Sequence, residues 1–422
     1  MSKKLTKNLF MIIILVTLIG LVISLAQFLF HEIIELGTYM VNHNNITFSF
    51  MIITVLLLIL LMTYINKRYK GYNGSGVPQF EAYFDHDREF NPILMLILIT
   101  INTFIAFFTG FALGGEGPSI TIAGSIGYYF NNLFKFKDKE YIMVACSTGF
   151  ACAFIAPLAG FMHLIEENKK HLSWTLILKG ILIIVPASFI CYFVFNHNML
   201  NLAVNLRLPY QAFYMLFIPI LLSILVSYTF KGVVLGIKDL NIKYNFMIIG
   251  TIILGLIMIL LKRYYPILTG GGGNFISNSY YDLSIILLLV LLVGRLLLTG
   301  LGTNSTLSGG IVIPMIAIGA IASDFGVSVF GLLDSNIYLY SDTLKLCTML
   351  SVFALVTRCP LTAIVLGLRC GNVLDIILPL SIAVLVSYLL TDLIKDKSIY
   401  KYLAKRLTKS EVNTLGEVWC LR

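Results

Sequence analysis

The chain has 422 residues, 58% of them hydrophobic and 12% charged, with a mean hydropathy of +0.90. A soluble domain is about 25% charged, so this composition excludes an ordinary soluble enzyme or binding module and describes a polytopic membrane protein. The net charge of +9 does not signal a nucleic-acid partner. Lys and Arg fall in short clusters between apolar runs ("NKRYK", "KFKDK", "NKK", "LKR" and the tail "KDKSIYKYLAKRLTK"), which the positive-inside rule explains better than a DNA-binding face does.

In chain order, "MSKKLTKN" precedes a long apolar run and has the look of a signal-peptide n-region, but no small-residue cleavage site follows. It predicts a retained first helix. Next come "MIITVLLLILLMTYI", the break "GYNGSGVPQF", the run "LMLILITINTFIAFFTGFAL" and then "GGEGPSI", which carries Glu116. The first half closes with "GFACAFIAPLAGFMHLIEE" and an apolar run from Leu172 to Phe195. The second half offers "LTGGGGNFISN", "LSGGIVIPMIAIGA", "SVFALVTRCPLTAIVLGLRCGN" and "LPLSIAVLVSYLLTDLI" in corresponding order. Several apolar runs are too short for the ~20 residues of an untilted span, as half-helices or re-entrant pieces would be.

These correspondences predict one transmembrane domain over 1–422, made of two repeats at roughly 8–195 and 210–394 and a terminal helix at 398–408. Repeats with interrupted hydrophobic segments point to a transporter-like fold whose site lies where the breaks converge. The pattern alone leaves their relative orientation open. The 7 Cys form no CxxC pair and the 6 His have no metal-ligand spacing, so no metal is expected.

A Gly-rich turn that opens a helix leaves backbone N–H groups free at the positive end of the helix dipole, a ready site for an anion. Pro118, Pro157, Pro314 and Pro360 each sit where a first helical turn could begin. Glu116 would compete with an anion for the same N–H groups, filling the site when ionised and opening it when protonated or displaced. Glu166 reads as a solvated helix end. Glu167 could relay protons, since an ionisable residue within a membrane is a functional candidate by default.

Six segments, in order and nearly the whole length of the chain, resemble the CLC family of chloride channels and proton-coupled chloride transporters. "GSGVP" resembles its GSGIP loop, "GGEGPS" its GREGP loop and "SGGIVIP" its GGxFxP loop. "APLAGFMHLIEE" is similar to the helix that ends in the inner proton glutamate, "RCPLTAIVLGLRCGN" to RxPLTAIVLxxEMTGN, and "KSIYKYLAKRL" to the helix with the pore tyrosine. The resemblance implies an all-α inverted repeat of tilted and re-entrant helices, assembled as a homodimer in a bacterial-type plasma membrane, and the strong first and last Lys/Arg clusters would place both termini in the cytoplasm. Ser75 and Tyr400 would hold the central anion with the N–H groups of Ile311 and Val312. Gly115, Glu116 and Gly117 would form the outer site with Gly310 and Ile313. Glu116 would be the gating glutamate and Glu167 the inner proton glutamate. No cofactor is implied beyond the transported chloride, and the C-terminal regulatory modules of larger relatives are not expected.

Four positions depart from the family pattern. Gly115 stands where Arg is usual, Val312 where Phe is usual, and Arg369 where a carboxylate is usual. Arg369 would restore the missing charge if it reached Gly115. His163, one turn before Glu167, replaces an apolar residue and either packs or assists proton transfer. The leading reading is chloride/proton antiport, supported by the glutamate kept at 167 and by Ser75. The alternative is a passive chloride or other small-anion channel or a weakly coupled exchanger, which the smaller Val312 would permit. A third reading, prompted by the departures, is a sensor or non-transporting subunit. Neither a Ser/His/Asp arrangement nor a Walker motif supports an enzyme.

Overall fold

The computed structural model describes residues 2–43, 48–69, 71–86, 88–136, 138–168, 173–194, 208–244, 246–369 and 373–407. Residues 195 and 408, expected boundaries of the first repeat and the terminal helix, lie outside them. So do Lys70, Lys137, Lys169 and Lys170 of the basic clusters. Among the described residues there is no β-strand beyond one isolated bridge between Gly114 and Gly310.

The long helices are α1 (Ser2–His43), α2 (Phe48–Arg68), α4 (Pro92–Phe108), α5 (Glu116–Leu133), α6 (Lys139–Ala153) and α8 (Trp174–Val194) in the first half. The second half has α9 (Phe217–Tyr244), α10 (Met247–Tyr264), α12 (Ile285–Thr303), α13 (Val312–Phe330), α14 (Ser341–Thr357) and α16 (Val373–Asp392). Local signals start several of them. The Asn91 side chain accepts from the N–H groups of Ile93 and Leu94 ahead of Pro92, Asp138 caps Glu140, and Ser284 caps Leu287.

Eight helical segments among the described residues are long and apolar enough to cross a membrane. They sort into two kinds by burial. The apolar stretches at Val312–Phe330 and Ser335–Thr357 are 89% and 83% buried, against 28–44% for the other six. Helices α13 and α14 therefore form the interior, and the rest present Leu25, Leu57, Phe189, Ile249 and Leu389 outward, each more than half exposed. An apolar belt of that extent is stable only against lipid. The chain is an integral membrane protein.

Four short helices are α3 (Val77–His86), α7 (Pro157–Glu167), α11 (Gly273–Ser277) and α15 (Pro360–Gly367). At 1.5 Å per residue none reaches half of a ~30 Å hydrocarbon core by much, so their ends lie within protein. Ile155 (φ 48°) and Arg358 (φ 65°) occupy the same place in the sharp turns before Pro157 and Pro360. A β-branched residue in the left-handed region costs on the order of 1–3 kcal/mol, which surrounding packing must offset. Matching elements touch: α7 packs on α15, α2 on α10, and α5 meets α13 through the Gly114–Gly310 bridge. Residues 399–407 form a last helix, α17.

Candidate functional site

The two glycine turns expected to converge do so by direct pairing. Gly114 N–H donates to the Gly310 carbonyl at 2.8 Å and Gly310 N–H to the Gly114 carbonyl at 2.6 Å. Helices α5 and α13 begin beside this bridge, at N-caps Gly115 and Ile311, and neither cap has a side-chain hydrogen bond. Their first N–H groups are thus left for something else. A β-carbon on Gly117 would sit 2.9 Å from the Ser75 β-carbon and 3.0 Å from the Gly310 α-carbon. Glycine at 117 is what lets three loops meet.

Glu116 is 2% exposed, and its carboxylate folds back over Gly114, where a β-carbon would fall 2.2 Å from Oε2. Ile313 N–H donates to Oε2 at 3.4 Å, and the N–H groups of Gly115 and Glu116 also face the carboxylate. The Ile313 contact is long for an N–H···O bond, so the carboxylate is held loosely. Ser75 is buried, and its carbonyl accepts from Thr121 Oγ1 at 2.8 Å, which ties the Ser75 loop to α5. Tyr400 on α17 is 5% exposed, lies within Coulombic range of Glu116, and has a buried hydroxyl with no hydrogen-bond partner among the described residues. An unsatisfied buried hydroxyl costs roughly 1–3 kcal/mol, and this one is available as a donor.

A cavity of about 400 Å³ runs from Tyr400 and Ile120 to the partly exposed Asp85, Asp138 and Glu140. Glu167 and Glu81 both line it, as neighbours close enough to interact electrostatically. Cys359 S–H approaches Glu167 Oε1 at 3.7 Å. Glu81 is the functional candidate that sequence reading missed. Its only signal was a carboxylate on the short helix just after the GSGVP loop.

Two expectations need correction. Glu166 is no solvated helix end: it accepts from Leu361 N–H at 2.7 Å, Thr362 N–H at 2.9 Å and Thr362 Oγ1 at 2.6 Å, capping α15. That uses up the helix start at Pro360, while Pro157 and Leu158 at the start of α7 are exposed. Only α5 and α13, the helices of Pro118 and Pro314, bring free N–H groups to the bridge. The second correction concerns Gly115. A β-carbon there would meet Ile34, Phe30 and Phe107 within 4 Å, so Arg369 is not in contact with Gly115. The cations near these turns are others. Arg295 is fully buried and donates to the carbonyls of Leu268 and Gly270, whose N–H in turn donates to Gly110. The Lys262 stem lies against Gly110.

An all-helical membrane fold in which two helix N-termini meet at one buried point, with a carboxylate beside their N–H groups, is the architecture of an anion-transport protein. Residues 55–392 match the model of the voltage gated chloride channel family. The chain belongs to this family, the CLC proteins. Among solved structures it is similar to a slow cyanobacterial Cl−/H+ antiporter, with a TM-score of 0.81 and 25% identity over 94% of this chain and 98% of that one. It also resembles a CLC-type fluoride/proton antiporter (TM-score 0.76, 21% identity, 93% and 97% covered). A eukaryotic CLC transporter matches with a TM-score of 0.73 and 20% identity, over 94% of this chain and 74% of that one.

Proposed function

We propose that the protein exchanges a small anion, chloride first, for protons across a bacterial-type plasma membrane, with both termini in the cytoplasm. In this reading the chain is one transmembrane domain of two inverted repeats and works as a homodimer with one pathway per subunit, embedded in lipid. One observation carries the proposal: the Glu116 carboxylate lies against the Ile313 N–H at the start of α13, where an anion would bind in this reading. When Glu116 takes a proton it loses its attraction to those groups, and an anion replaces it. When release of the site follows protonation of this group, each anion passage is tied to a proton, which is the physical basis of coupling.

Ser75, Tyr400 and the N–H groups of Ile311 and Val312 are assigned to the central anion, and Gly115, Gly117, Gly310 and Ile313 to the outer one. Glu167 is assigned the delivery of protons from the other side. In Tyr400→Phe, chloride binding measured by calorimetry weakens about five- to tenfold, the effect of losing one hydrogen bond of roughly 1–1.5 kcal/mol. Unchanged affinity would remove Tyr400 from the site.

In liposomes an imposed chloride gradient drives protons uphill through the wild type, and Glu167→Gln passes chloride with little proton movement. Chloride flux without proton pumping in the wild type would instead support the channel reading, which the small side chain at Val312 favours. Repeating the assay with fluoride and nitrate establishes the preferred anion.

A further inference from the structure

The cavity contains an imidazole that neither carboxylate role uses. His163 lies on α7 one turn before Glu167, and both side chains line the same cavity. Its Nδ1 shares a hydrogen bond of 3.1 Å with Ser147 Oγ on α6, and its ring stacks on Phe150 at 4.8 Å between centroids and 11° between planes. Ser147 also lines the cavity. The ring is therefore held in a fixed orientation by two contacts, one edge on Ser147 and one face on Phe150, while the residue lines the cavity.

The position of this ring suits a proton route. Protons that reach Glu167 must still travel to Glu116 if the antiport reading holds, and this inference rests on that reading. The cavity extends to Ile120, which is one turn along α5 from Glu116, about 6 Å along the helix axis. His163 is displaced from Glu167 by one turn of α7 in the same way. We propose that His163, oriented by Ser147, carries the proton between Glu167 and Glu116.

The step balances simply. The Glu167 carboxyl loses its O–H proton and an imidazole nitrogen gains it, giving imidazolium and carboxylate. The imidazolium then gives up one N–H proton toward Glu116, which becomes the neutral acid, and the imidazole is neutral again. Glu167 is recharged from the solvent end of the cavity, which Glu81 also lines.

Other titratable groups on elements packed against α7 are otherwise engaged. Glu166 caps α15, and Lys179 on α8 is bound to Asp138 and Glu140 at the start of α6. Cys359 touches Glu167. Cys146 and Tyr400 line the cavity as neutral groups, beside Lys139, Asp85 and Lys401 toward its mouth. Among these groups the imidazole is the one that is both oriented by Ser147 and one turn of α7 from Glu167.

The test compares wild type, His163→Gln and His163→Leu in chloride-driven proton pumping. Glutamine keeps a hydrogen bond to Ser147 but cannot carry a proton, and leucine fills the space without either. Both variants are expected to keep chloride turnover within about twofold and to lose about tenfold or more of the proton flux. The remaining proton flux should no longer vary with pH across the imidazole range. Wild-type coupling and pH profile in both variants would make His163 a packing residue and overturn the inference alone. A wild type that moves no protons overturns this inference and the antiport reading together.

Discussion

Glu116→Gln is expected to abolish proton movement while chloride flux persists. The variant keeps the size of the side chain but removes the charge that competes for Ile313 N–H and its neighbours. Its amide has no proton to exchange, so each turnover carries an anion and nothing else. In the wild type, chloride flux should rise as the pH on the Glu116 side falls, because protonation frees the N–H groups. In Glu116→Gln that pH dependence should vanish. Parallel chloride and pH electrodes on liposomes read both quantities. A variant that still pumps protons uphill would show that Glu116 is not the exchanging group.

Lys345→Met should cost about 3–5 kcal/mol of stability, the usual penalty for stranding one partner of a buried ion pair. Lys345 on α14 and Asp324 on α13 are 0% and 2% exposed at their side chains, with Nζ 3.1 Å from Oδ2. Lys345 also donates to the Asn278 carbonyl, while Asp324 Oδ2 accepts from Tyr280 N–H at 3.0 Å. The pair therefore fixes the chain between α11 and α12 onto the two most buried helices. Without Lys345 a carboxylate remains in an apolar interior with one N–H donor. The double variant Asp324→Asn/Lys345→Met removes both charges and keeps an acceptor for Tyr280, so it should recover most of the loss. Denaturation in detergent tests this. A single variant as stable as wild type would mean that water reaches the pair.

The membrane class and the two glycine turns that meet were legible because they depend on local chemistry. Apolar runs read as helices for lipid, and Gly-Gly followed by Pro reads as a helix start with free N–H groups. Those two starts, at 114–118 and 310–314, are the ones the Gly114–Gly310 bridge joins. What stayed illegible depends on contacts between distant segments. All four Pro-containing starts look alike in sequence, yet the one at Pro360 is filled by Glu166 from the other half of the chain. The Glu81–Glu167 contact is likewise a product of helix packing. The missing charge at Gly115 invited a guess at Arg369, but the structure surrounds Gly115 with Ile34, Phe30 and Phe107 and brings Lys262 and Arg295 to the neighbouring turns instead.

The central claim is that one carboxylate, Glu116, ties anion movement to proton movement. The most direct measurement is the reversal potential of the wild-type protein in a bilayer with chloride and proton gradients set independently. Coupled exchange predicts that the reversal potential shifts when only the proton gradient is changed. A potential that stays at the chloride equilibrium value whatever the pH difference would contradict the account.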